Sequence, residues 1–234
     1  MRFISLRTIL QLTCLSFLLI ALVPATAFAA CNSGPAPNVD WSRCQKMRLI
    51  LRGANLSGAN MERADLFSSD LMDANLEGAN LANAHIAQAR FKRANLRSAT
   101  LTKMFGHRVN FEEASLVGAN LSKAELPRAN FTRADLTNAD MTKADLGRVV
   151  LIEAQLQGAN LSKALIARAN FTSAKLDGAD LTGAYTLLAQ FAGADLSGTV
   201  GLTQEQLDDA CGDNDTALPP GLKKPASWPC PAEE

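Results

Sequence analysis

The residues best suited to catalysis or metal binding are few and scattered along the sequence. The two histidines, His85 and His107, have no Cys, Asp or Glu cluster at metal-ligand spacing around them. No glycine-rich loop follows a strand pattern and opens a helix, so the usual phosphate-binding loop is excluded. Adjacent carboxylates at Glu112-Glu113 and Asp208-Asp209 are typical of a solvated surface. We therefore predict no catalytic, cofactor-binding or metal-binding residue, and a protein that is not an enzyme.

The elements that carry these residues repeat every five positions from Leu49 to Gly198. Ala is usual at the first position and Asn or Asp at the second, and the third, the centre, is Leu, Phe, Met or Ile except at Gly106 and Thr186. Five residues rotate a helix by 140°, and they flip the side chain of a continuous strand, so neither structure keeps the centres on one face. The pattern fits short extended segments that turn a corner in every unit, with first and third positions inward.

A second period of twenty residues predicts the number of sides in each coil. Phe occupies the centres of a single column, at Phe91, Phe111, Phe131, Phe171 and Phe191. The column ending at Leu196 has Leu at every centre, and the corner that follows it is rich in glycine, which suits a turn with positive φ. We therefore expect residues twenty apart to stack, about 4.8 Å apart, in a four-sided solenoid.

Stacking at this period places basic residues in two columns on neighbouring corners. We call the two columns together the basic edge; its residues are Lys103, Lys123, Lys143, Lys163, Arg108, Arg128, Arg148 and Arg168. Like charges one coil apart repel, so the fold alone does not favour this arrangement. The basic edge is a candidate binding site for an extended anionic partner. The alternative is that the side chains fan apart in water, partly offset by Glu125, Asp140 and Asp145.

The two units with irregular centres lie on one side of the predicted solenoid, four coils apart. We call them the irregular patch: Phe105, Gly106, His107, Tyr185, Leu187 and Leu188. At Gly106 we expect a small dent, or a neighbour such as Phe105 turned inward. Tyr185, Leu187 and Leu188 are expected outside, where they seat the C-terminal tail or form a partner-binding patch. His107 is expected to be an ordinary surface residue.

The repeated Ala-(Asn/Asp)-Leu phrase, as in Ala54-Asn55-Leu56 and Ala119-Asn120-Leu121, resembles the pentapeptide-repeat family. The resemblance implies an all-β fold, a right-handed quadrilateral β-helix, and little about function. We assign residues 1–29 to a signal peptide, 30–48 to an N-terminal cap segment, 49–201 to the β-helix, and 202–234 to a C-terminal capping helix with a Pro-rich tail. The capping helix is predicted from Thr203 to about Ala210, because Thr203 and Gln206 form a capping box.

The cysteines lie on either side of the repeats and suggest disulfides at both ends. Because the repeats separate Cys31 and Cys44 from Cys211 and Cys230, we expect the pairs Cys31–Cys44 and Cys211–Cys230. Each closes a short loop and contributes on the order of 3 kcal/mol to stability. The N-terminal loop, together with Trp41, is expected to cover the first coil.

The N-terminus reads as an export signal, with Arg2 and Arg7 before the apolar stretch Ile9–Val23 and a small-residue site at Ala27-Phe28-Ala29. We expect cleavage after Ala29, which leaves no membrane span; an uncleaved anchor and lipidation of Cys31 remain alternatives. Cleavage removes two of 23 basic residues against 23 acidic ones, so the mature chain has no bulk attraction to nucleic acid.

These patterns favour an exported, periplasmic or extracellular, monomeric structural or binding module. Its expected partner, bound by the basic edge, is an anionic polymer, a lipid head group or an acidic protein surface. The alternative function comes from the family resemblance, which implies a DNA mimic that binds gyrase. The export signal, the basic columns and the polar C-terminal end disfavour it.

Overall fold

The computed structural model describes residues 31–229, so the predicted signal peptide and Cys230 lie outside the described residues. The backbone winds through isolated single-residue parallel bridges, each to the residue twenty positions on, from Asp40–Asn60 through Asp180–Val200. The described chain has no strand longer than one bridge residue. One helix has both ends described: α1, Gln204–Asp208.

A regular five-residue unit closes its corner with one local hydrogen bond, and other hydrogen bonds tie it to the next coil. In a representative unit the Ala59 N–H donates to the Leu56 carbonyl at 3.0 Å and closes the turn. The Leu56 N–H donates to the Asn75 carbonyl of the next coil at 2.7 Å. The turn needs a left-handed residue, here Gly58 with φ 64°. The period of five is therefore the length of one side plus its corner.

The core is a narrow stack of the Ala and Leu side chains from the first and third positions. The predicted Phe column lies inside it, with ring centroids 5.0 Å apart for Phe91 and Phe111 and 4.8 Å apart for Phe111 and Phe131. Since residues twenty apart stack in this way, each coil has four sides of five residues, as predicted.

Coil geometry extends beyond both ends of the predicted range 49–201. At the N-terminal side, the turn-and-bridge pattern begins before Asp40, and Trp41 and Lys46 occupy inward centre positions. At the C-terminal side, Cys211 and Ala217 bridge to Gln190 and Asp195, with registers of 21 and 22 residues. The register slips because α1 and the loop after it add residues to this last, incomplete coil.

The N-terminal end is closed around Lys46, which is only 8% exposed. Its ammonium donates to the Cys31 carbonyl at 2.7 Å and lies 4.1 Å from the Trp41 ring centroid. Burial lowers the pKa of this ammonium group. The Cys31–Cys44 disulfide is present, with Cα atoms 5.4 Å apart, and holds the accepting segment over the lysine.

At the C-terminal end, α1 replaces one side of the next coil. Gln206 is twenty residues after Thr186, and the Thr186 hydroxyl donates to the Gln206 carbonyl at 2.8 Å. The Gln206 amide donates to the carbonyls of Leu181 and Ala184 at 2.9 and 2.8 Å. The Leu181 carbonyl also accepts the Ala184 N–H of its own turn, whereas the Gln206 amide supplies the Ala184 carbonyl with a donor at the end of the solenoid. The helix begins at the predicted N-cap, Thr203, with the capping box formed, and is shorter than predicted.

The tail folds back along the end of the solenoid, where Leu202, Leu218, Leu222 and Trp228 pack against the core. The Trp228 indole donates to the Ala210 carbonyl at 2.8 Å. Cys211 is disulfide-bonded. Its predicted partner, Cys230, lies outside the described residues. Within residues 31–229, no helix has the length and apolar character to span a bilayer.

Candidate anion-binding edge

The basic edge occupies the corner position at which the backbone is left-handed. Its eight residues have φ between 53° for Lys103 and 60° for Arg128. Glycine is the residue that this conformation favours, and a residue with a side chain costs about 1 kcal/mol more there. The neighbouring unit at Gly183 shows that glycine fits the Lys column, with φ 64°. Uncharged residues such as Ser98 and Asn138 also occupy this left-handed corner, so the backbone conformation itself does not select Lys or Arg.

All eight side chains of the basic edge are exposed to solvent. None of them forms an ion pair with any residue between 31 and 229. The carboxylates of Glu125, Asp140 and Asp145, which could have offset the charge, form no salt bridge with them. The edge thus presents two parallel columns of positive charge. Within each column, the corner positions of successive coils are about 4.8 Å apart.

A charged ladder on another corner behaves in the opposite way. Arg93 donates two hydrogen bonds to Asp73, at 2.7 and 2.9 Å, and Arg133 lies 3.3 Å from Glu113. The hydrogen bonds from Arg93 hold the pKa of Asp73 below its usual range. Charges of alternating sign at this corner form ion pairs with one another, whereas those of the basic edge form none with the described residues.

The side of the solenoid between the Lys and Arg columns has an unusual outward surface. Its bridge positions form what we call the central column: Asp65, His85, Phe105, Glu125, Asp145, Leu165 and Tyr185. On the other three sides the bridge positions are mostly Asn or Asp, whose side-chain oxygen accepts the backbone N–H two residues later, as Asn120 does from Ser122 at 2.9 Å. Five residues of the central column forgo this turn hydrogen bond, namely His85, Phe105, Glu125, Leu165 and Tyr185. Each loss costs on the order of 1 kcal/mol.

Aromatic rings stack on the N-terminal half of the central column. The His85 ring lies between Phe67 and Phe105, with centroid distances of 5.8 and 4.9 Å. His85 Nδ1 is 3.0 Å from the Asp65 carboxylate, which fixes the orientation of the imidazole ring. Phe105 is 45% exposed at the top of this stack. An inward turn of Phe105 was therefore a wrong expectation, because a bridge position directs its side chain outward.

The dent expected at Gly106 is present as a recess of about 200 Å³ on the outer surface. A β-carbon at Gly106 would lie 2.7 Å from the Ala87 backbone nitrogen, so only glycine lets the backbone approach the preceding coil this closely. The turn after Gly106 lacks the hydrogen bond that closes the regular corners. The recess is lined by His85, Ala87, Phe105, Gly106, His107, Glu125, Pro127 and Asp145. His107 is exposed, and it also borders this recess.

The second part of the irregular patch lies on the same side, nearer the C-terminus. Tyr185 and Leu187 are 48% and 37% exposed, so the part of the tail up to Pro229 does not cover them. Leu188 is half-buried, and its N–H donates to the Asp209 carbonyl after α1 at 2.7 Å. The basic edge and the irregular patch therefore frame one face of the solenoid.

Sequence reasoning did not assign Phe67, His85, Glu125, Asp145 or Pro127 to a site. For His85 and Glu125 the signal was available in the second position of each unit. Of the residues twenty apart from His85 to Tyr185, all but Asp145 replace the usual Asn or Asp with aromatic, apolar or longer side chains. Within the described part of the chain, no group of His, Cys, Asp and Glu has an arrangement that could hold a metal ion.

Comparison with known families agrees with the coil geometry. The family model of pentapeptide repeats matches residues 51–81, 69–103, 107–142, 129–166 and 150–185. The chain belongs to this family. Pentapeptide-repeat proteins fold as right-handed quadrilateral β-helices and are generally structural or binding modules. The basic edge lies within the matched residues, and so does the central column apart from Phe105.

Several solved pentapeptide-repeat structures are similar to this chain. HetL, involved in heterocyst differentiation regulation in the cyanobacterium Nostoc sp. strain PCC 7120, is 26% identical, with 85% of this chain and 91% of that chain covered and a TM-score of 0.44. QnrB1, a plasmid-mediated fluoroquinolone resistance protein, is 19% identical, with 72% and 91% covered and a TM-score of 0.35. A protein of the Arabidopsis thaliana thylakoid lumen is 27% identical, with 54% and 77% covered and a TM-score of 0.19. No curated protein matches the sequence.

Proposed function

We propose that this pentapeptide-repeat protein is an exported, non-enzymatic binding module that holds an extended anionic partner along its basic edge. The observation that carries the proposal is that eight exposed Lys and Arg side chains stand in two columns without an ion pair among the described residues. Each occupies a left-handed corner where glycine is favoured. Because like charges one coil apart repel, the fold gains nothing from this arrangement, and a binding role explains it.

Export is supported by the N-terminal sequence pattern and is consistent with the Cys31–Cys44 disulfide. In the periplasm or outside the cell, a rigid rod with charges at regular intervals suits a polymeric partner. The spacing of one coil gives a charge about every 4.8 Å along each column. A partner with anionic groups at a similar repeat can contact several coils at once, and multiple weak contacts then add.

The edge is tested by charge reversal. The triple variant Arg128→Glu, Lys143→Glu, Arg148→Glu should elute from a sulfonate resin at a much lower salt concentration than the unmodified protein. The matched control is Arg97→Glu, Lys175→Glu, Lys223→Glu, which makes the same charge change at exposed basic residues away from the edge. Equal elution of the two triple variants would show that net charge, rather than the edge, governs retention.

Export is tested separately by mass spectrometry of the N-terminus of the protein isolated from its native cells. A mature chain that begins at Ala30 supports cleavage after Ala29. A lipid-modified Cys31 would indicate anchoring at the membrane surface, and it would also remove that cysteine from the disulfide. An intact Met1 in a cytosolic fraction would contradict export.

A further inference from the structure

We propose that the anionic partner is an acidic polysaccharide of the uronic acid type, and that one of its sugar rings sits in the recess beside Phe105. This inference rests on the proposed function, and it adds the chemical class of the ligand and the place where it is anchored. The face between the two basic columns combines an aromatic platform, hydrogen-bond acceptors and flanking cations.

The platform is the ring of Phe105, which lines the recess and is supported by the His85 ring at 4.9 Å with an interplanar angle of 12°. The Asp65–His85 hydrogen bond and the Phe67 contact make this support rigid. A preorganised, exposed ring is a surface on which the apolar C–H face of a sugar can pack. The recess, at about 200 Å³, is below the ~300–1,000 Å³ typical of pockets for drug-sized ligands, and it suits a single ring.

The acceptors are the carboxylates of Glu125 and Asp145, which also line the recess. Neither forms an ion pair with another described residue, and Asp145 accepts only the Gly147 N–H, at 3.1 Å. Charged acceptors bind hydroxyl donors strongly, so these two side chains are suited to sugar hydroxyl groups. They also repel a partner that is anionic over its whole surface, such as a sheet of phosphate head groups.

The cations stand at the sides of the face rather than in its middle. Arg108 and Arg128 directly follow the lining residues His107 and Pro127, and Lys123 and Lys143 stand at the opposite corner. A uronic acid residue carries hydroxyl groups and one carboxylate, so its hydroxyls can meet the central column while its carboxylate reaches a corner cation. The length of one sugar residue is close to the rise of one coil, so successive carboxylates can meet successive basic residues.

The inference is tested by calorimetric titration of the full-length exported protein with an oligogalacturonate. A neutral galactan oligomer of equal length, polyglutamate and phosphatidylglycerol vesicles are compared at the same salt concentration. We expect the oligogalacturonate to bind at least tenfold more tightly than the neutral oligomer or polyglutamate, and the vesicles not to bind. Phe105→Ala should weaken oligogalacturonate binding at least tenfold and leave elution from the sulfonate resin unchanged.

The matched control is Tyr185→Ala, which removes an exposed aromatic ring from the same column far from the recess and should change affinity less than twofold. Glu125→Ala, at an exposed position, is a second recess variant that should also weaken the sugar complex if Phe105→Ala proves unstable. Equal affinities of the Phe105 and Tyr185 variants, or tighter binding of polyglutamate or vesicles, would overturn the inference. If the unmodified protein is retained on the resin but does not bind the oligogalacturonate, only this inference is contradicted. If the unmodified protein is not retained on the resin, the proposed function is contradicted.

Discussion

The backbone of Gly106 lies so close to the preceding coil that a β-carbon on it would be 2.7 Å from the Ala87 nitrogen and 2.9 Å from the Ile86 carbonyl carbon. The residue has no positive φ, so the constraint is space and not backbone conformation. This close approach forms the recess in the face that carries the basic edge, and it links an irregularity of the repeat to the candidate site.

Gly106→Ala should destabilise the protein by about 1–3 kcal/mol, because the added methyl group can be accommodated only by pushing two coils apart. The free energy of unfolding in urea measures the effect. Gly34→Ala is the control, since nothing lies within 4 Å of a β-carbon there, and it should be nearly neutral. Equal stability of both variants would show that the coils yield easily at Gly106.

Gln206→Ala should lower stability by about 2 kcal/mol. The substitution removes the amide that donates to the Leu181 and Ala184 carbonyls, and each lost hydrogen bond is worth about 1 kcal/mol. Protection of the last coil from amide hydrogen exchange should fall more than protection of the central coils. Glu205→Gln, on the exposed side of α1, is the control. If this variant loses as much protection of the last coil as Gln206→Ala, a specific role for Gln206 is ruled out.

Replacing both Cys31 and Cys44 by Ser should reduce stability by on the order of 3 kcal/mol, the value expected for a loop with a sequence separation of 13. The effect should concentrate at the N-terminal end, because the linked segment supplies the carbonyl that Lys46 binds. Fluorescence of Trp41 during urea unfolding reports that end when Trp228 is replaced by Phe. An unchanged unfolding midpoint would mean that the segment is held without the disulfide.

The stabilising effect of Asp213 should depend on pH. The N–H of Gly193, followed by the hydroxyl of Thr216 and the N–H groups of Asp215 and Thr216, lowers the pKa of this carboxyl group. A lowered folded-state pKa means that the stabilisation is present above the unfolded pKa of about 3.9 and is lost as pH falls through the folded value.

Asp213→Asn should therefore be less stable than the unmodified protein at pH 7, and the difference should shrink as the pH is lowered below about 4. Melting temperatures of the two proteins between pH 7 and pH 2.5 measure it. Asp215→Asn, at an exposed carboxylate, is the control and should give a difference that is small at every pH. A constant difference for Asp213→Asn would show that the carboxylate charge contributes nothing.

The coil could be predicted from the sequence because its cause is local and repeated. Every unit needs inward Ala and Leu and a corner, so the periods of five and twenty stand out directly. The sequence did not reveal that Trp41 and Lys46 are centres of coil units, because a buried lysine breaks the apolar pattern. The acceptors of Lys46, the carbonyls of Cys31 and Ser33, are 15 and 13 residues earlier in the sequence, in a segment held by the Cys31–Cys44 disulfide.

The candidate site was predictable where stacking alone determined it. The two basic columns followed from the period of twenty, and so did the shared side of Gly106 and Thr186. The recess was harder to place, because it depends on how far the Gly106 backbone moves and on the stacking of Phe105 on His85. Thr186 looked like a defect of the core, yet its hydroxyl serves the contact with α1.

The salt dependence of binding to a soluble polyanion tests the basic edge most directly. Cations of the edge should release counterions on binding, so the logarithm of the binding constant should fall linearly with the logarithm of the salt concentration. Replacing Arg128, Lys143 and Arg148 by Ala should make this slope shallower by up to about one unit for each removed contact. The control variant Arg97→Ala, Lys175→Ala, Lys223→Ala should keep the original slope. Identical slopes for the two triple variants would contradict binding at the basic edge.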